Sequence, residues 1–169
     1  MNPIFSQGDY DYKAACESEL EARWAKDIAD NPGEPRWLGW KDEAIRDNRL
    51  GKCKTFVVVC GREPVGTGTL LLSPCCGAIA CRKELADGIN AANINALRMD
   101  KAHEGKGHMS RLVKVMEAYA KDLGYKALTI GVEAAETRNL AIYLHWGYDK
   151  LILHDIEDGA LVLYYSKHL

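Results

Sequence analysis

The stretch Asp100-Lys-Ala-His-Glu-Gly-Lys-Gly-His-Met-Ser110 decides how the rest of the chain is interpreted. Before it, the apolar residues between Ile94 and Met99 predict a strand. After it, apolar residues recur at intervals of three and four as far as Leu123, which is the spacing of one helix face, and Gly124 ends the helix. The predicted order is therefore strand, glycine loop, helix.

The loop itself carries two glycines, Gly105 and Gly107, separated by one residue. Glycine lets a backbone approach a ligand closely and adopt conformations that a side chain forbids. The helix start that follows has N–H groups without an intrahelical partner and roughly half a positive charge from the macrodipole, which together attract phosphate. Lys106 and His108 add to this charge, whereas Glu104 opposes it. A phosphate-binding loop is predicted, with a plain tight turn as the alternative.

Further along, a second strand (Ala127–Val132) leads to a short helix (Thr137–Trp146) that carries Tyr143. In this order the chain resembles the GNAT superfamily of acyl-CoA-dependent N-acetyltransferases. The signature of that family is Arg or Gln, two residues, Gly, one residue, and Gly or Ala, followed by a helix and a strand. A Tyr then comes four residues before a Gly-aromatic pair, as Tyr143 does before Gly147 and Tyr148. The resemblance is strongest over Ile94–Tyr148.

The resemblance implies an α/β (α+β) GNAT fold, in which a mixed central sheet with splayed middle strands is flanked by helices. It implies a single domain over residues 1–169. The activity implied is transfer of an acetyl group from acetyl-CoA to a primary amine by direct attack, with no covalent enzyme intermediate. The acceptor is a small-molecule or peptide amine that the sequence does not identify, and a homodimer is left open.

The same resemblance assigns residues to the cofactor. Backbone amides of the loop would bind the diphosphate of coenzyme A; these residues are Gly105, Lys106, Gly107, His108, Met109 and Ser110. Leu97 and Met99 would lie on the strand whose backbone binds the pantetheine arm and polarises the thioester carbonyl. Tyr143 would contact the cofactor and protonate the departing thiolate, with a packing tyrosine as the alternative.

A general base is less defined. Glu133 is the first candidate because it emerges at the end of the strand that borders the splay, and Asp87 and Glu84 are further candidates. Each of the three also fits an ordinary surface carboxylate. Several family members deprotonate the amine through ordered water, so a dedicated base is not required.

Three residues depart from the family pattern. Glu104 stands where Arg or Gln is usual, Met109 where a small residue is usual, and Glu136 where many relatives carry Asn. The first two motivate an alternative function, a non-catalytic acyl-CoA-binding or sensing module. A P-loop or dinucleotide fold is disfavoured, because no Gly-Lys-Ser/Thr follows the loop and no Gly-x-Gly-x-x-Gly occurs there.

Two helices are predicted near the N-terminus, over Tyr10–Asp30 and Trp40–Leu50. In the family this pair lines the acceptor cleft. Here it carries Trp24, Trp37 and Trp40, together with eight carboxylates: Glu17, Glu19, Glu21, Asp27, Asp30, Glu34, Asp42 and Glu43. One hypothesis is an acidic, aromatic-walled pocket for an amine, since both features attract cations. The alternative is that the charges are solvated and the tryptophans belong to the core.

Two hairpins complete the expected fold. The first joins Thr55–Cys60 to Val65–Leu72, and glycines within its second arm indicate a bend or the close approach of another backbone. The second joins Lys150–Ile156 to Ala160–Ser166 through Glu157-Asp158-Gly159, which is typical of a tight hairpin loop. Residues 73–88 are interpreted as a connection.

Bulk composition excludes several classes of protein. With 22 basic and 24 acidic residues the net charge is −2, so the basic excess of a nucleic-acid binder is missing. The N-terminus lacks a basic and an apolar leader region, and no apolar run reaches membrane-spanning length, so we expect a cytoplasmic protein with no membrane partner. Cys75, Cys76 and Cys81 lack the spacing of zinc sites, and we expect no metal.

Overall fold

The computed structural model describes residues 4–169. The first three residues lie outside the described residues. Two predictions extend over them, the single domain and the N-terminus without a leader. In chain order the elements are β1 (Phe5–Gln7), β2 (Tyr10–Ala14), α1 (Glu17–Asp30), α2 (Arg36–Arg49), β3 (Cys53–Cys60), β4 (Glu63–Leu71), β5 (Ala91–Met99), α3 (His108–Asp122), β6 (Ala127–Glu133), α4 (Thr137–His145), β7 (Lys150–Glu157) and β8 (Ala160–His168). Short 3₁₀ turns lie at Gly77–Ile79 and Lys101–His103.

The strands form an eight-stranded sheet in the order β1-β2-β3-β4-β5-β6-β8-β7. Strands β5 and β6 are parallel, whereas β1/β2, β2/β3, β6/β8 and β7/β8 are antiparallel. The β5/β6 pairing joins Ala91–Ile94 to Ala127–Ile130, and each strand continues beyond that segment, to Met99 and to Glu133 respectively. The predicted mixed sheet with helices and splayed middle strands is confirmed.

The chain divides into two compact units. The first contains the described residues up to Leu70 and residues Ala96–Met116, and the second contains Leu71–Asn95 and Glu117–Leu169. The boundaries fall inside β4, β5 and α3, so these three elements contribute to both units. The single domain over residues 1–169 stays a prediction.

In the first unit, the predicted helix from Tyr10 is wrong for its first five residues, because Tyr10–Ala14 form strand β2. Tyr12 and Ala14 are buried while the residues between and beside them are half-buried, which is the period-two pattern of a strand. Tyr12 lies opposite Val58 of β3, and both are fully buried. The helix begins only at Glu17, where the Glu19 carboxylate accepts a 2.9 Å hydrogen bond from the Cys16 N–H.

The glycines of β4 make room for β5 within the same unit. A Cβ atom on Gly66 would lie 2.5 Å from Met99 Cε, and one on Gly68 would lie 2.7 Å from Leu97 Cδ2. The nearest atoms at both glycines belong to side chains, and a backbone atom, the Arg98 carbonyl oxygen, lies 3.3 Å from the Cβ position of Gly66. The predicted close approach of another backbone therefore holds at Gly66 and not at Gly68. These contacts also show that Leu97 and Met99 share one face of β5.

In the second unit, β6 supplies a buried apolar core through Leu128, Ile130 and Val132. Hydrogen bonds link its Thr129 to Asn93 and to the Leu85 carbonyl, both at 2.8 Å, so the buried polar groups are satisfied.

The hairpin of β7 and β8 closes as predicted, with Glu157 paired to Ala160. The two loop residues, Asp158 and Gly159, both have positive φ angles, 48° and 83°. Such a pair matches the right-handed twist of the flanking strands. None of the helices within residues 4–169 combines the length and the apolar character needed to cross a membrane.

Candidate active site

The glycine loop, in the first unit, adopts a conformation that requires both of its glycines. Gly105 and Gly107 have φ angles of +72° and +77°, in the left-handed region that strains residues with a side chain. A Cβ atom on Gly107 would also lie 3.0 Å from Arg111 Nη1. The Arg111 guanidinium donates to the Lys106 carbonyl at 2.8 Å, and Lys106 Nζ donates to the Ala102 carbonyl at 2.9 Å. Side chains therefore hold the loop in shape and leave its backbone donors uncovered.

The helix behind the loop begins at His108. The Arg111 N–H donates to the Gly107 carbonyl at 3.2 Å, so helix geometry leaves the N–H groups of His108, Met109 and Ser110 without an intrahelical acceptor. These three amides lie where the helix macrodipole is positive. Uncovered amides at a helix start can bind an anion, and the phosphate-binding loop stays a prediction.

The His108 side chain anchors this helix start to β2. Its Nδ1 and the Tyr12 hydroxyl are 2.7 Å apart, and its ring lies 4.0 Å from the Tyr10 ring. Burial and the nearby Arg111 lower the pKa of His108, which favours the neutral ring. Tyr10 in turn makes a 2.9 Å hydrogen bond to His103 Nδ1. Sequence reasoning missed this anchor, because it placed both tyrosines on a helix.

Strand β5 turns sharply just before the residues assigned to the thioester. Ala96 has a φ of +52°, which is unusual for a residue other than glycine. Leu97 and Met99 follow it on one face, against the β4 glycines, and Arg98 projects to the opposite face, where its guanidinium lies 4.6 Å from the Trp24 ring centroid. The sequence carries no glycine at position 96 that would signal this turn.

The carboxylates on α1 and α2, and Glu34 between the two helices, are largely neutralised by basic side chains. Of the eight named from the sequence, six form ion pairs: Glu17 with Arg49, Glu19 with Lys13, Asp27 with Arg23, Asp30 with Lys26, Glu34 with Arg36, and Glu43 with Arg46. A further carboxylate of α2, the buried Asp47, pairs with Arg46 as well. Glu21 and Asp42 are exposed. Of the three tryptophans only Trp24 is buried, with 6% of its surface exposed. This pattern favours solvated helix faces over an acidic pocket.

Tyr143, in the second unit, lies on α4 with its ring 5.6 Å from that of Trp146. Burial, with a smaller contribution from Glu136, raises the pKa of Tyr143 to about 12. The phenol therefore keeps its proton at neutral pH. Its hydroxyl makes no hydrogen bond within residues 4–169, so it is available to a ligand.

Tyr148 has a structural role in this unit. It is fully buried, and its hydroxyl donates to Glu117 Oε1 at 2.9 Å. The same carboxylate oxygen lies 2.8 Å from Lys167 Nζ.

The three candidate bases also lie in the second unit and differ in their surroundings. Asp87 is occupied, because its Oδ1 accepts hydrogen bonds of 2.7 to 2.8 Å from the N–H groups of Ile89, Asn90 and Ala91. Burial acts to raise the pKa of Asp87, but these backbone bonds outweigh it and the pKa is lowered. Asp87 therefore organises a loop, whereas Glu84 and Glu133 are exposed.

The three clustered cysteines differ in exposure. Cys76 is buried, Cys75 and Cys81 are exposed, and none of the three forms a disulfide bond with a described residue. Over the described part of the chain, no group of three or more His, Cys, Asp or Glu side chains is placed to hold a metal ion.

The loop residues, Leu97 and Met99 thus belong to the first unit, and Tyr143 and Glu133 to the second. The model of the Acetyltransferase (GNAT) family matches residues 15–148, which is more than half of the chain. The chain therefore belongs to the GNAT acetyltransferase family, and the prediction of an N-acetyltransferase enzyme is confirmed at that level. No curated protein matches the sequence.

Solved structures agree with this fold. A RimL ribosomal L7/L12 alpha-N-protein acetyltransferase has a TM-score of 0.71 at 16% identity, covering 99% of this chain and 94% of its own. An N-acetyltransferase from Staphylococcus aureus Mu50 has a TM-score of 0.70 at 16% identity, and the match covers 95% of this chain and 99% of that one. A GNAT family acetyltransferase from Elizabethkingia anophelis was solved with acetyl-CoA bound. It has a TM-score of 0.62 at 14% identity, and the match covers 96% of this chain and 100% of that one.

Proposed function

We propose that this protein transfers the acetyl group of acetyl-CoA to a primary amine by direct attack of the amine on the thioester. The observation that carries the proposal is the glycine loop: three backbone N–H groups at the start of α3 are uncovered, in a chain of the acetyltransferase family. The acetyl-CoA complex of the Elizabethkingia anophelis structure supports the choice of cosubstrate.

In this proposal, the loop from Gly105 to Ser110 holds the diphosphate of coenzyme A through backbone amides. Lys106, Met109 and Ser110 contribute their N–H groups in the same way as His108. Because backbone donors are fixed by the loop, they lose little freedom when an anion binds. Glu104 is exposed at the edge of the loop, and its charge weakens the attraction.

The strand from Ala96 to Met99 positions the thioester. The pairing of β5 with β6 ends at Ile94, and in this proposal the N–H groups near Leu97 and Met99 serve the pantetheine amides and the thioester carbonyl. A donor directed at the developing oxyanion contributes about 3 to 4 kcal/mol to the transition state.

Tyr143 donates a hydrogen bond to the sulfur as the C–S bond breaks. An ordinary thiol has a pKa of about 8.5, and the pKa of Tyr143 is about 12, so complete proton transfer from the phenol to the thiolate is uphill by roughly 5 kcal/mol. The hydrogen bond stabilises the thiolate as it forms. The net proton comes from the attacking amine, which becomes an ammonium when the new C–N bond forms and releases a proton as the thiol leaves.

Glu133 is the proposed acceptor of the amine proton, either directly or through water. Its support is its place at the end of β6 and its exposed carboxylate, which makes no hydrogen bond or ion pair among residues 4–169. The acceptor is a small-molecule or peptide amine. The structurally similar RimL is an alpha-N-protein acetyltransferase, which supports including protein N-termini in that class. A cytoplasmic location and a homodimer remain proposals.

Release of free thiol on mixing the protein with acetyl-CoA and a panel of primary amines tests the function. We expect Tyr143→Phe to lower kcat by about 100-fold, because the hydrogen bond that stabilises the developing thiolate is lost, while the Kd for coenzyme A changes by less than about twofold. Tyr165→Phe on β8 serves as the control and should retain full turnover.

Two outcomes would contradict the proposal. Binding of acetyl-CoA without thiol release for any amine would favour the sensing module. Unchanged turnover in Tyr143→Phe would remove Tyr143 from the mechanism while leaving the reaction in place.

A further inference from the structure

Arg98 is a half-buried arginine on β5, and the two sides of its guanidinium are in different environments. Its side chain is 23% exposed, and its guanidinium lies 4.6 Å from the Trp24 ring centroid and 5.1 Å from that of Trp37. The two indole rings also contact each other edge to face, at 5.7 Å between centroids. The guanidinium is thus held by two aromatic rings, which attract its charge and provide no hydrogen-bond acceptor.

One side of the guanidinium is buried against Asp27. Arg98 Nε lies 3.2 Å from Asp27 Oδ2, but the geometry is too poor for a hydrogen bond, so this contact is an ion pair only. Two nitrogens of Arg23 already donate to the same carboxylate, Nη2 to Oδ1 at 2.7 Å and Nε to Oδ2 at 3.3 Å. Asp27 is therefore largely satisfied by Arg23 and neutralises Arg98 incompletely.

The other side of the guanidinium is open. Nε is buried, whereas the two Nη nitrogens reach solvent and make no hydrogen bond with any described residue. Arg23, its neighbour, uses its remaining Nη on Asp100 at 2.6 Å. An arginine kept in place by stacking, with its planar donors unused, has the geometry that binds a carboxylate through two parallel hydrogen bonds.

Arg98 also has a defined relation to the residues assigned to the thioester. Leu97 and Met99 flank it in sequence and project to the opposite face of β5, and all three lie in the same unit. Arg98 therefore belongs to the strand that the proposed function assigns to the thioester carbonyl. Its open donors lie on the face that α1 and α2 line with tryptophans.

We propose that Arg98 binds a carboxylate of the acceptor, so that the natural acceptor is an amine that also carries an acidic group, such as an amino acid or an acidic peptide. This inference rests on the proposed function and reverses the charge expected from the acidic-pocket hypothesis. The Nη donors of Arg98 receive the carboxylate, and Trp24 and Trp37 hold the guanidinium in place.

The test compares matched pairs of acceptors of increasing length. Thiol release is measured with ω-amino acids from glycine to 6-aminohexanoate, each beside the n-alkylamine of the same length, and with tripeptide amides that differ only by Glu or Gln at the second position. We expect kcat/KM to be about 10- to 100-fold higher for the carboxylate member at the length that spans the thioester and Arg98. The peptide arm distinguishes an acidic peptide from a free amino acid.

The matching variants separate binding from folding. Arg98→Gln should remove the preference by raising KM for the carboxylate member at least about tenfold more than KM for the alkylamine of the same length. Arg36→Gln, which removes an exposed arginine stacked on Trp40 of α2, is the control and should keep the preference. If Arg98→Gln does not fold, Arg98→Lys keeps the charge without the two parallel donors and should reduce the preference.

Three outcomes are distinguishable. A preference for carboxylates that is lost in the Arg98 variants supports the proposal. Turnover of alkylamines and amino acids at equal rates, or equal loss on both members in Arg98→Gln, overturns it and leaves the acetyltransferase function standing. Absence of thiol release from every acceptor rejects the proposed function itself.

Discussion

The glycine loop and the helical pair α1–α2 both concentrate groups that attract charged ligands, but only the loop leaves them uncovered. At the loop, the donors are backbone amides of His108, Met109 and Ser110, which no side chain of the helix neutralises. On the helical pair, the charges are carboxylates on flexible side chains, and six of eight are neutralised by Lys or Arg. Counting charged residues along a sequence therefore overestimates the charge that a site made of side chains offers to a ligand. The error is smaller for a site made of backbone amides.

The strongest test of this comparison is Gly107→Ala in the loop. The new Cβ atom would be strained at φ +77° and would lie 3.0 Å from Arg111 Nη1, so the loop must shift and its amides lose their alignment. We expect the Kd for coenzyme A, measured by calorimetry, to rise by at least about tenfold. Gly33→Ala, before α2, has no atom within 4 Å of its Cβ position and should leave the Kd unchanged. Equal affinity in both variants would show that the loop does not hold the diphosphate.

A second test concerns one of the two buried carboxylates of the helical pair, which are Asp27 and Asp47. Asp27 is 4% exposed and holds Arg23 and Arg98, so Asp27→Asn leaves two buried guanidinium groups with less compensation. We expect the free energy of unfolding in urea to fall by about 3 kcal/mol.

Asp30→Asn is the matched control for that experiment. It breaks an exposed i,i+4 pair with Lys26, and the transition midpoint should stay within experimental error. A comparable loss in both variants would mean that burial does not distinguish these two pairs.

The smallest effect is expected from the two exposed carboxylates of the pair that form no ion pair. The double variant Glu21→Gln, Asp42→Asn removes two negative charges that an acidic acceptor pocket would use. If the charges are solvated, KM for a diamine acceptor should change by less than about twofold at 0.15 M salt, where exposed charges are strongly screened. A severalfold rise in KM would restore the acidic-pocket hypothesis.

Agreement between sequence and structure was best where a local rule determines the conformation. The glycine spacing at Gly105 and Gly107 predicted the positive φ angles of the loop, and Asp158-Gly159 predicted the hairpin, because few other residues tolerate those angles. It was poorest at Tyr10–Ala14, where apolar residues that belong to a strand happened to continue the helical spacing of α1. A period of two and a period of 3.6 are not distinguishable over five residues.

By itself, then, the sequence determined the order of the elements from β3 onward, the phosphate-type loop, the family and the position of Tyr143 in its motif. The tertiary structure alone decided the turn at Ala96, the anchoring of His108 by Tyr12, and the unequal environments of Arg98. The physical reason is the range of the interactions. Backbone angles at glycine and helix periodicity are set by neighbours in the chain, whereas the pairing of Asp27 with Arg23 and the stacking of Arg98 on two tryptophans depend on helices and a strand that meet only in the folded protein.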